Sequence, residues 1–184
     1  GVNREMLTRL DHSYSHKLEN KEPITNQKNT GRCWLFAGLN MFRYEAMEKM
    51  NLDKFEFSQN YPHFWDKFEK SNYFLESILS TLDEPTDGRL IMHLVTDPIF
   101  DGGQWDMFVN IIKKYGVVPK SVMPETESSS ATYRMTAAIT AKLREYAAEL
   151  RAKHADGVAI DLLRERKVEM MNTVYRMLCL HLGQ

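Results

Sequence analysis

Mainly α-helical is the fold class the sequence predicts, and three observations carry it. Apolar residues recur at helical spacing through most of the chain from residue 33 to 182. Strand-type alternation of apolar and polar side chains is almost absent. Short interruptions rich in Pro, Gly and Asn separate the periodic stretches, as expected where helices stop. At 184 residues, with 43% hydrophobic and 27% charged, the chain has the size and composition of one ordinary globular domain.

The first 22 residues are polar and mixed. His12 and His16, four apart, could share a helical face. No third ligand is fixed near them, so they read as surface histidines and no metal site is expected. From Pro23 to Gly31 the chain is turn-rich. Leu35, Leu39, Phe42 and Ala46 then trace one face of a helix whose first turn holds Cys33. A second helix is expected from Ser58, a good N-cap residue, with Phe64, Phe68, Leu75, Ile78 and Leu82 on its apolar side. Asp83 to Gly88 reads as a turn, and a short helix near residues 89–95 must stop before Pro98.

The corner Asp101-Gly102-Gly103 precedes Trp105, Phe108, Ile111, Ile112 and Tyr115 at helical spacing, with Gly116 as the stop. Residues 117–124, with two prolines, read as extended. Residues 129–152 and 158–182 predict two further helices, broken at Asp156-Gly157. Trp34, Trp65 and Trp105 are expected to pack rather than to do chemistry.

Composition also excludes some functions. Lys and Arg number 24 against 25 Asp and Glu, a net charge of −1, so neither a polybasic nucleic-acid arm nor an acidic tail is present. No apolar run approaches the roughly 20 residues of a membrane span. The chain opens on Gly1 with neither Met nor an apolar signal core, which reads as a trimmed start. Two cysteines do not make a disulfide scaffold and suit a reducing compartment.

The informative stretch runs from Thr25 to Phe36. A thiol in the first turn of a helix meets unpaired backbone N–H groups and the positive end of the dipole, which favour the nucleophilic thiolate. Gln27, six residues earlier in a turn, can aim a side-chain amide at the same place. With the Cys33 N–H it would make two donors for a developing oxyanion. A buried, merely structural Cys33 in a helical protein-interaction module is the competing reading.

The pattern Gln27-x5-Cys33-Trp34, with Gly31 two residues before the thiol, resembles the nucleophile segment of papain-like cysteine peptidases. The wording from Asn26 to Phe36 resembles more narrowly the bleomycin-hydrolase family, their cytosolic aminopeptidase branch. Phe55-Glu56-Phe57-Ser58-Gln59, the block from Asp101 to Met107 and the block from Lys114 to Lys120 continue the resemblance in order. It is close from Glu22 to Glu125 and looser in the helical remainder.

The resemblance implies Cys33 as nucleophile, Gln27 as an oxyanion donor, and Gly102 and Gly103 lining the cleft where substrate backbone lies close. Without it, Gly102-Gly103 would be a plain tight turn. It further implies a helical, nucleophile-bearing half of a papain-like α+β fold, the β-barrel half with His and Asn being absent from this chain. The expected segments are a polar start (1–22), the nucleophile subdomain (23–125) and a helical insertion or hairpin (126–184), incomplete at its C-terminal end.

Function by resemblance is that of a cytoplasmic aminopeptidase, a homo-hexameric barrel with inward-facing sites in its full-length parent. It would act on peptides and the bleomycin β-alanine amide, without metal or cofactor. Thr30 stands where secreted relatives carry a disulfide cysteine, which fits the cytosol. His181 lies 148 residues after Cys33 but has no Asn beyond it, and His154 sits in a charged segment. Neither is expected to be catalytic, so the chain alone should be inactive.

Overall fold

A computed structural model describes residues 13–15 and 24–183. Its helices are α1 (Cys33–Met50), α2 (Asn60–Ser80), α3 (Arg89–Thr96), α4 (Trp105–Tyr115), α5 (Glu127–Ser130), α6 (Tyr133–Ala155) and α7 (Ile160–Leu182). Among the described residues the extended pairing is limited to two isolated bridges, Asn29 with Ala131 and Phe57 with Pro119. The fold is mainly α, as the sequence predicts. His12 and His16 lie outside the described residues.

The larger core is a three-helix layer. Phe74, Leu75 and Ile78 of α2 meet Met135, Ile139 and Leu143 of α6 and Met170, Val174 and Leu178 of α7, each at most 2% exposed. These apolar faces exclude water from one side of α2. A smaller cluster joins α1 to α4 through Leu35, Leu39 and Phe108. There Gly38 has a steric task, because a Cβ would fall 2.4 Å from the Phe108 ring.

Three expectations shift. Arg43, not Phe42, continues the buried face of α1 after Leu39: Arg43 is 4% exposed and Phe42 36%. Four residues past Leu39 is closer to a full helical turn than three, so the guanidinium follows Leu39 inward. Helix α2 begins two residues after Ser58, whose Oγ still accepts the Tyr61 N–H at 3.0 Å and donates to Met123 O at 2.5 Å. The helix expected over 129–152 is split. Thr126 and Ser129 form a capping box that closes α5 by itself, and Ala131 turns aside to pair with Asn29 before α6 starts. Thr126 Oγ1 and Ser128 Oγ then hold α5 to the end of α7, through His181 O and His181 Nδ1.

Candidate active site

Cys33 is the first residue of α1, and its thiol is exposed and free. Exposure removes the competing reading of a buried structural cysteine. The helix starts without a side-chain cap, and the Leu35 and Phe36 N–H groups both donate to Arg32 O, at 3.0 and 3.1 Å.

The loop before Cys33 is closed on itself. Gln27 Nε2 donates to Thr30 O at 2.8 Å, and Thr30 Oγ1 donates back to Gln27 O at 2.7 Å. Asn26 Oδ1 accepts the Lys28 N–H at 2.8 Å, which supports the left-handed Lys28 at φ 57°. A primary amide carries two N–H bonds, so Gln27 keeps one beyond its bond to Thr30. Asn40 Nδ2 donates to Thr25 Oγ1 at 2.7 Å and ties the loop to α1.

Asp101 is the hub of the site. Its Oδ2 accepts the Gly31 N–H at 3.1 Å and the Thr132 hydroxyl at 2.5 Å, while Oδ1 lies 2.6 Å from the Lys67 ammonium. A Cβ on Gly31 would lie 2.9 Å from Asp101 Cβ, so this close approach requires glycine. Burial opposes the Asp101 charge. The Lys67 charge, with the bonds from Thr132 and Gly31, outweighs it and holds the carboxyl well below the usual range.

The corner that follows is clamped from α2. Lys67 Nζ donates to Ile99 O at 2.5 Å, and Lys70 Nζ donates to Phe100 O at 2.7 Å and Gly102 O at 2.8 Å. Lys70 also pairs with Asp66 at 2.9 Å. Burial still drives both of that pair towards neutrality, Asp66 upward and Lys70 downward. Trp34 Nε1 donates to Asp101 O at 2.9 Å, and a Cβ on Gly103 would meet the Trp34 ring at 2.5 Å. The indole beside the Cys33 thiol thus packs against the Gly102-Gly103 corner, and the two sequence-predicted segments meet.

Arg32, fully buried directly before the thiol, makes a bidentate pair with Glu125 at 3.0 and 2.8 Å. His63 is also fully buried, and neither ring nitrogen has a partner. Burial, then the charges of Lys67 and Arg32, push its pKa well below the usual histidine value, so it is neutral. A cleft of about 610 Å³ opens between Asn29, Thr30, Gly31, Asp101 and α6.

His181 Nδ1 is engaged with Ser128 Oγ at 2.9 Å, and His154 pairs with Asp83 on an exposed turn. Neither stands in a constellation with Cys33. Among the described residues, no group of three His, Cys, Asp or Glu could hold a metal ion.

Residues 1–184 match the Peptidase C1-like family throughout. The chain belongs to that family. This peptidase C1-like chain is 42% identical to human bleomycin hydrolase, over 99% of its own length and 41% of that protein. It is 44% identical to aminopeptidase C of Listeria monocytogenes, over 93% of this chain and 38% of the relative. Among solved structures, PepW of Lactobacillus rhamnosis superposes with a TM-score of 0.91 at 43% identity, covering 99% of this chain and 41% of that one. The peptidase C1-like chain therefore spans about two fifths of the length of these relatives. No helix among its described residues is long and apolar enough to cross a membrane.

The ionic layer of Arg32, His63, Asp66, Lys67, Lys70 and Glu125 escapes sequence reasoning. Residues 63, 66, 67 and 70 recur at i, i+3, i+4 and i+7, the spacing of any solvated helix face.

Proposed function

We propose that the chain is the nucleophile-bearing part of a cytosolic cysteine aminopeptidase of bleomycin-hydrolase type. The observation that carries this reading is an exposed thiol at the uncapped start of α1, beside a loop and a glycine corner locked to each other through Asp101. In this reading the Cys33 thiolate attacks the carbonyl carbon of the first peptide bond. The Cys33 N–H and the free N–H of Gln27 receive the oxyanion. Collapse of that intermediate expels the amine, which takes a proton from the catalytic histidine, and water then hydrolyses the thioester.

The backbone at Gly102 and Gly103 would lie along the substrate, held there by Lys70 and Trp34. The histidine and its orienting Asn belong to sequence outside these 184 residues. Residues 23–125 act as the nucleophile subdomain and 126–184 as a helical hairpin set against it, within a hexameric parent whose sites face inward.

Hydrolysis of an aminoacyl β-naphthylamide tests the reading. The expected results are no turnover by the 184-residue chain alone, turnover on co-expression with the C-terminal portion of a relative, and none with Cys33→Ser. Normal turnover by the isolated chain would contradict it.

A further inference from the structure

A second cavity, of about 370 Å³, lies between the 24–28 loop and α1. Phe36 and Arg43 line it from one face of α1, at i and i+7. Arg43 is 4% exposed, and its Nε is buried without a partner. Among the described residues it makes no ion pair; its guanidinium carbon lies 5.8 Å from the Tyr44 ring centroid. A buried guanidinium with no anion is costly, and arginine does not escape that cost by losing its proton.

The two carboxylates of the cavity do not relieve it. Glu56 is taken by Gln59 at 2.9 Å and Lys120 at 2.8 Å, and Glu125 by Arg32 and Ser129. Lys28, also in the wall, adds a second positive charge.

We infer that this cavity binds a carboxylate, with Arg43 as its anchor. The negative charge of a carboxylate matches the Arg43 guanidinium, which has no ion pair among the described residues and whose Nε is buried without a partner. Phe36 and the exposed Ile24 at the cavity's edge suit the carbon skeleton of an organic acid or the terminus of a peptide. The loop on one side of the cavity is the segment that includes Gln27, and the helix on the other is α1, which starts at Cys33; Asn40 and Thr25 already bridge the two. A bound carboxylate therefore ties the proposed oxyanion donor to the nucleophile's helix.

The test titrates acetate, succinate and N-acetyl-dialanine, as free acid and as amide, into the wild-type chain, Arg43→Met and Cys33→Ser. Sodium chloride keeps ionic strength constant. Melting temperature and the NMR resonance of the Arg43 Nε–H are read. Saturating carboxylate should raise the wild-type and Cys33→Ser melting temperatures by about 5 °C and move the Arg43 resonance. The amide should do neither, and Arg43→Met should not respond. A stronger response to the peptide acid than to succinate assigns the site to a peptide terminus, and the reverse to a small acid. An unmoved Arg43 resonance at saturating acid overturns the site even if Arg43→Met fails to fold, and so does an equal response from that variant. Retained binding in Cys33→Ser keeps this result separate from the peptidase reading.

Discussion

Helix α2 has two buried faces built on opposite principles. Towards α6 and α7 it presents Phe74, Leu75 and Ile78 to a dry apolar layer. Towards the thiol it presents His63, Asp66, Lys67 and Lys70, all nearly buried, to the 99–102 corner. Apolar burial is strong but non-directional, so the first face holds the helices together without setting any atom to a fraction of an ångström. Ion pairs and charge-assisted hydrogen bonds add little net stability when buried, yet each fixes a direction and a distance. The apolar face makes the fold, and the charged face places Gly31, Cys33 and the glycine corner within it.

Cutting the charged layer at its hub separates the two faces most sharply. Asp101→Asn strands Lys67 in the interior and should cost about 3–5 kcal/mol, measured by urea denaturation. It should also change the alkylation rate of Cys33 in the folded chain. Leu143→Ala, in the dry layer, should cost about 2–5 kcal/mol by the same measurement while leaving the Cys33 rate untouched. A changed Cys33 rate there would break the division of labour.

Acid should reach the charged face first. His63 has its pKa depressed by burial. The unfolded chain therefore takes up a proton that the native chain refuses once pH falls below about 6.5. Stability should then fall by up to about 1.4 kcal/mol per pH unit, and His63→Leu should flatten that slope. Asp101 acts later. Its depressed pKa contributes stability that is complete above the ordinary carboxylate value near about 3.9 and is lost as pH falls below it. The smallest effect belongs to the exposed pair Lys142–Glu145. Lys142→Ala should leave the urea midpoint unchanged, because screened surface pairs contribute little.

Legibility followed the same division. Periodicity alone marks α3, α4 and α7, because an apolar stripe at 3.6 residues has few alternatives. The separate start of α6 depends on Ala131 reaching Asn29 across about a hundred residues of chain, which no local pattern encodes. Cys33 and Gln27 stand out because their spacing around a glycine resembles the nucleophile segment of papain-like peptidases. Their supports do not. Lys67 and Lys70 look like solvated lysines until the Asp101 corner is folded against them, and Arg43 looks like a surface arginine until α1 is turned to bury it.

Competition between Cys33 and Cys179 for iodoacetamide, followed by mass spectrometry in wild type and Asp101→Asn, tests most directly whether the charged layer places the Cys33 thiol. Cys33 should label faster than the half-buried Cys179 in the wild type, and the ratio should fall towards that of the unfolded chain in Asp101→Asn. An unchanged ratio in a folded Asp101→Asn chain would contradict the account.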